Sequence, residues 1–194
     1  PGYVACGTLT LGDTDLRNLS PAEAPKVRGG RISMIFQDPQ TSLNPLMTIE
    51  RQLIETIQTH STVSESEARN RAVDLLEEIG IKNATERIKA YPHQFSGGMR
   101  QRVVIALAIS TDPELVIADE PTTALDVAVQ SQVLDLIQRL AKERQIAFML
   151  ITHDIGVIAQ VADRVTVMRN GRVMETGVTA QVVGKPQHHY TPQL

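Results

Sequence analysis

Leu115-Val116-Ile117-Ala118 runs straight into Asp119-Glu120-Pro121, so four apolar residues end in two carboxylates. A short continuous apolar run of this kind reads as a strand buried on both faces. Its carboxyl end then delivers both acids to the crevice where open α/β sheets bind ligands. Asp119 suits holding Mg²⁺ through water, because Mg²⁺ gives up its hydration reluctantly. Glu120 suits polarising an attacking water as a general base. Taken alone, the same residues also describe a strand that stops at a solvated acidic turn.

A second cluster is Phe95-Ser96-Gly97-Gly98-Met99-Arg100-Gln101, directly before the apolar stretch 102–110. A serine and two glycines at a helix start leave backbone N–H groups and a hydroxyl aimed at one point. The positive end of the helix dipole stands behind them, which suits a phosphate. An ordinary Ser N-cap with a Gly-rich turn has the same appearance and is commoner.

These residues need elements to hold them. Arg31-Ile32-Ser33-Met34-Ile35-Phe36 reads as a buried strand ending at Gln37-Asp38-Pro39, and Ile146–Ile151 as another, ending at Thr152-His153-Asp154. Residues 3–11 predict a short strand that stops at Gly12-Asp13. From Thr48 to Ala90 the pattern turns helical, with Ile49, Leu53, Ile54 and Ile57 at three- and four-residue steps. Ser64 and Glu67 form a capping box before Ala72, Val73, Leu75, Leu76 and Ile79, and Gly80 closes that helix. Residues 127–143 predict an amphipathic helix with Val129, Val133, Ile137 and Leu140 on one stripe, and 155–162 a further helix. Asn170-Gly171 between apolar runs is a hairpin signal. Strand and helix alternate, so the expectation is an α/β fold with a mostly parallel sheet and a helical insertion. The tail from Gly184 reads as loop.

The chain has 194 residues, a formal net charge of −3 and 42% hydrophobic residues. That is enough for one globular domain and gives no broad electrostatic hold on nucleic acid or anionic lipid. Aromatics are 3% with no tryptophan, which disfavours a base-stacking platform. The single cysteine, Cys6, excludes an internal disulfide framework. No run approaches the roughly 18 apolar residues of a membrane span. His188-His189 reads as surface.

Together the motifs resemble ABC ATPases. Ser96-Gly97-Gly98-Met99-Arg100-Gln101-Arg102 resembles the signature motif, and Ala118-Asp119-Glu120-Pro121 the Walker B segment. Thr122-Thr123-Ala124-Leu125-Asp126 resembles the D-loop, Gln37 the Q-loop glutamine and His153 the switch histidine. Each motif is weak evidence alone, but their shared order makes coincidence untenable. The resemblance spans essentially the whole chain and implies a P-loop NTPase-like fold, ATP and Mg²⁺. Asp119 and Gln37 would serve the metal, and Glu120, His153 and Gln37 would act in hydrolysis. Ser96, Gly97, Gly98, Gln101 and Asp126 would meet nucleotide across a head-to-tail pair of ATPase subunits. Residues 48–110 would form the inserted helical subdomain of a single domain over 1–194.

Finer details narrow the resemblance. Gln37-Asp38-Pro39 with Thr41-Ser42-Leu43-Asn44-Pro45, Tyr91-Pro92-His93, Gly98-Met99-Arg100-Gln101-Arg102 and His189-Tyr190-Thr191 are similar to the oligopeptide, dipeptide and nickel importer branch. That implies integral permease subunits as partners, indirectly a solute-binding protein, no nucleic acid, and a peripheral place at the cytoplasmic face of the inner membrane. The alternative is a non-transport ABC ATPase of DNA repair or translation. Such proteins insert coiled coils or charged arms, and residues 48–90 show neither heptads nor a basic run.

One departure stands out: Gly-x-x-x-x-Gly-Lys-Ser/Thr occurs nowhere in the chain. Its backbone N–H cradle and lysine are the family's main hold on the triphosphate. The sequence therefore reads as an N-terminally truncated ATPase domain, inactive in isolation. The sheet is expected to show unpaired edges and uncovered apolar surface.

Overall fold

Three of the apolar runs become a parallel sheet in the computed structural model, which describes residues 7–123 and 125–193. Strand β3 (Ile32–Ile35) pairs with β4 (Leu115–Asp119), and β4 with β5 (Ala147–Ile151), in the order β3-β4-β5. Before them lie the short antiparallel strands β1 (Thr10–Leu11) and β2 (Thr14–Asp15) and helix α1 (Ala24–Val27). The predicted strand over 3–11 is thus seen only at Thr10–Leu11, and residues 3–6 lie outside the described residues. Arg31 ties this hairpin to the sheet, pairing with Glu114 and donating to Thr14 Oγ1 at 2.7 Å.

Between β3 and β4 come α2 (Pro39–Ser42), α3 (Ile49–His60), α4 (Glu65–Glu78), α5 (Ala84–Arg87) and α6 (Gly97–Ile109). The Ser64–Glu67 capping box opens α4 with both reciprocal bonds, and Gly80 leaves it at φ +80°, a conformation a side chain would strain. Three arginines close its C-terminal end. Arg102 donates to the Ile79 carbonyl at 2.7 Å, Arg139 to that of Glu78 at 2.5 Å, and Arg144 pairs with the Glu78 carboxylate at 2.6 Å. Cations at a helix C-terminus meet its orphan carbonyls and negative dipole end.

After β4 follow α7 (Val127–Arg144), β5, α8 (Ile155–Val161), β6 (Arg164–Arg169), β7 (Arg172–Val178) and α9 (Thr179–Gly184). β6 and β7 form the predicted hairpin, with Asn170 and Gly171 both at positive φ as a type I′ turn demands. The tail ends in a 3₁₀ turn, Thr191–Gln193, rather than plain loop.

The core lies between one face of the sheet and the helices. Ile35, Val116 and Ala118 bury against Val104, Ile105, Ala108, Val133 and Ile137, and α3 and α4 extend the same cluster through Leu53, Ile57 and Leu76. The other face differs from the expectation of a strand buried on both sides. Met34, Phe36, Met149 and Ile151 are exposed there, and Ile117 is only half-buried. β4 therefore alternates buried and half-buried residues. No helix among the described residues covers that face, so the uncovered apolar surface anticipated from the sequence is present.

Candidate functional site

The parallel register brings the ends of β3, β4 and β5 to one edge, where Asp119 is the last residue of β4, Glu120 follows it, and Gln37 and His153 stand two positions beyond β3 and β5. Asp119 pairs with Ile151 in the ladder, and the Glu120 N–H extends it by donating to the Ile151 carbonyl at 2.9 Å. Glu120 then turns sharply, at φ +47°. A non-glycine residue there costs about 1–3 kcal/mol and persists only where its surroundings hold it, which is common at functional sites.

Three side chains hold it. Gln37 Nε2 donates to Glu120 Oε2 at 2.7 Å, and the Thr123 hydroxyl donates to the same oxygen at 2.9 Å. His153 Nδ1 lies 2.9 Å from Oε1. These bonds hold the Glu120 carboxyl below the ordinary glutamate value; His153 contributes most, Thr123 next, and partial burial opposes them. An ionised carboxylate only accepts, so the His153 proton sits on Nδ1. The His153 side chain is 80% exposed, which leaves its far edge open to a ligand. Asp119 is half-buried, and its carboxylate makes no hydrogen bond among the described residues.

The glycine cluster occupies a second place. Ser96 N-caps α6 by accepting from the Met99 N–H at 3.4 Å, and Asp126 N-caps α7 by accepting from the Val129 N–H at 2.9 Å. Ser96, Gly97 and Asp126 are exposed. Gly98 is half-buried against α7: a Cβ built on it would lie 2.5 Å from Val129 Cγ1. Its missing side chain thus lets the two helix starts approach. Gln101 goes elsewhere. It is 1% exposed within α6, and its Nε2 lacks a hydrogen-bond partner among the described residues. So Gln37, Glu120 and His153 form one hydrogen-bonded group with Asp119 beside them. Ser96, Gly97 and Gly98 at the start of α6 pack near the start of α7, which Asp126 caps; among the described residues no hydrogen bond joins these to the first group, and Gln101 joins neither.

Thr123 escaped the reading of the sequence. Its signal was present: a threonine three residues after the acid, in a Pro-Thr-Thr turn, where hydroxyls reach back to nearby groups.

Residues 3–123 match the family model described as "ABC transporter". The chain is 50% identical over 191 residues to the oligopeptide transport ATP-binding protein OppD of Bacillus subtilis, covering 98% of this chain and 53% of that protein. It is 45% identical over 194 residues to the dipeptide transport ATP-binding protein DppD of Escherichia coli, covering 100% of this chain and 59% of that one. It therefore spans little more than half the length of these relatives. The fold is similar to that of the ATP-binding cassette MJ0796, solved as a dimer in a post-hydrolysis state bound to ADP and Pi. The TM-score is 0.77 at 27% identity, covering 90% of this chain and 74% of that one.

Proposed function

This chain belongs to the ABC transporter family, in its peptide-importer branch, and from that premise we propose that it serves ATP hydrolysis driving import of peptides or related small solutes. The observation that carries the reading is the convergence of Gln37, Thr123 and His153 on the Glu120 carboxylate. Glu120 is the base: it takes a proton from the attacking water while His153 and Gln37 keep its carboxylate in place. His153 Nε2, an acceptor when the proton is on Nδ1, is the ring position available to a water beside the terminal phosphate, and it donates to a phosphate oxygen only when the ring carries a second proton.

Asp119 and Gln37 are the residues to hold Mg²⁺. The donors fit: an unbonded carboxylate and an amide oxygen are hard ligands, and Mg²⁺ takes one or two such groups while substrate phosphates and water supply the rest. When bound, the ion neutralises charge on the phosphate oxygens. No group of three or more His, Cys, Asp or Glu side chains able to hold a metal occurs among the described residues.

Ser96, Gly97, Gly98 and Asp126 serve nucleotide held by a second ATPase subunit. The exposed hydroxyl and helix start support this role, as does the dimeric state of the similar cassette MJ0796. Gln101 is 1% exposed within α6, so in this structure it presents no open edge to that nucleotide. Residues 48–110 form the inserted helical subdomain and meet an integral permease at the cytoplasmic face of the membrane. No helix among the described residues is long and apolar enough to cross a membrane.

The test is solute-stimulated ATP hydrolysis by the full-length protein reconstituted with its permease in vesicles, across short peptides, nickel and nucleic acid. Stimulation by peptides or nickel supports the reading. Stimulation by nucleic acid alone contradicts it.

A further inference from the structure

An ionised carboxylate offers about four lone-pair positions, two on each oxygen. On Glu120 three of them are filled among the described residues. Oε2 accepts from Gln37 Nε2 at 2.7 Å and from the Thr123 hydroxyl at 2.9 Å, so both of its positions are taken. Oε1 accepts only from His153 Nδ1, at 2.9 Å. The one acceptor position left open therefore lies on Oε1.

Thr123 is placed for this bond rather than for packing. Its N–H donates to the Glu120 carbonyl at 3.1 Å, which closes the turn and brings the hydroxyl back to the carboxylate. The residue is exposed, so its methyl group adds little to the core, and valine would give the same shape without the hydroxyl. The backbone of Glu120 is already fixed in its turn at φ +47°. What stays soft is the last torsion of the side chain, which is broad and roughly two-fold in glutamate. The donors around the carboxylate, not an intrinsic preference, decide which way each oxygen faces.

We propose that Thr123 is a positioning residue: with Gln37 it saturates Oε2, so that the attacking water binds Glu120 through Oε1 alone. The proposal rests on the hydrolytic reading above and assigns the oxygen that acts. One water proton passes to Oε1, and the electron pair of that O–H bond stays on the water oxygen, which bonds to the terminal phosphorus of ATP. The bond from that phosphorus to the bridging oxygen breaks, and its electron pair leaves with ADP. A second open position, on Oε2, would let water settle where it is not aimed at the phosphorus, and misplacement of a reacting group slows the step.

The first experiment follows ATP hydrolysis by the full-length protein reconstituted with its permease. Thr123→Val keeps the shape and opens Oε2, so turnover falls about threefold to tenfold, the scale of one lost hydrogen bond, while KM for Mg-ATP is unchanged. Thr123→Ser keeps the hydroxyl and restores turnover. A second measurement is independent of turnover. In Glu120→Gln an amide replaces the carboxylate, and only its oxygen can accept from Gln37 Nε2 and the Thr123 hydroxyl. That oxygen takes the place of Oε2 and the NH₂ group the place of Oε1. The NH₂ group only donates, so His153 accepts from it at Nδ1 and carries its own proton on Nε2. Nitrogen-15 spectra of histidine-labelled full-length protein at alkaline pH should show the His153 proton on Nδ1 in the unaltered protein and on Nε2 in Glu120→Gln. Unchanged turnover in Thr123→Val, or a His153 proton that stays on Nδ1 in Glu120→Gln, overturns the assignment of the two oxygens. Near-normal turnover by Glu120→Gln counts instead against Glu120 as the base, so the two failures are distinguishable.

Discussion

Replacing Gly98 with alanine places a methyl where no space exists. The new Cβ would lie 2.5 Å from Val129 Cγ1, far inside contact distance, while Val129 Cβ and Cγ2 stand at 3.7 Å. Valine in a helix is held to one χ1 rotamer, so the clash is relieved mainly by moving α6 away from α7. Overpacking of this kind costs about 1–3 kcal/mol. Alanine's helix preference over glycine offsets up to about 1 kcal/mol, and less in the first turn. Val129→Ala removes the offending methyl and, on a half-buried residue, costs about 1 kcal/mol in lost burial. In the double variant the nearest atom is then Val129's former Cβ position at 3.7 Å, an ordinary contact. Equilibrium urea unfolding of the four proteins should therefore give a double variant more stable than the summed single losses by about 1 kcal/mol or more. Additivity within about 0.5 kcal/mol would refute the view that Gly98 is small to let the two helix starts meet.

Other outcomes follow from the charged groups. The bonds from His153 and Thr123 keep Glu120 ionised below the ordinary glutamate range, so the acidic limb of the pH–rate profile lies below it. Thr123→Val removes one of those bonds and should move that limb to higher pH, whereas Thr123→Ser restores it; an unmoved limb would detach Thr123 from the base. Near the tail, Glu175 accepts from the Thr191 hydroxyl at 2.5 Å and the Gln187 N–H at 2.7 Å, and its pKa is lowered by these bonds, that of Thr191 first. A depressed folded-state pKa stabilises above the unfolded value and is lost as pH falls through the folded one. Residues 187–191 should thus stay docked at neutral pH and release only below about pH 4.3. Amide chemical shifts of Gln187 and His188 report this, and release between pH 5 and 7 would contradict it.

The sequence carried the sheet because each strand is a continuous apolar run cut off by a polar or proline-containing turn. It carried α4 because Ser64 and Glu67 announce a cap whose two bonds then form. It also placed Gln37, Glu120 and His153 at neighbouring strand ends, and they meet within hydrogen-bond distance. Three-dimensional cover was harder to read. An apolar strand such as β4 looks the same whether one face or both are packed, and only the helices' positions reveal that Met34, Phe36 and Met149 face outward. Gln101, Thr123 and Gln52 are ordinary polar letters in the sequence. Their different fates, buried without a partner, bonded to the acid, or bonded to the Asn44 N–H, depend on tertiary placement. Which face of α6 and α3 turns inward decides for Gln101 and Gln52, and for Thr123 it is how the turn after β4 folds back on Glu120.

The most direct measurement of the central claim is Glu120→Gln in the full-length protein, with hydrolysis and Mg-ATP binding followed together. Loss of a general base should lower turnover by about 10²–10⁴-fold while nucleotide binding persists. Turnover within a few-fold of the unaltered protein would remove Glu120 from the reaction.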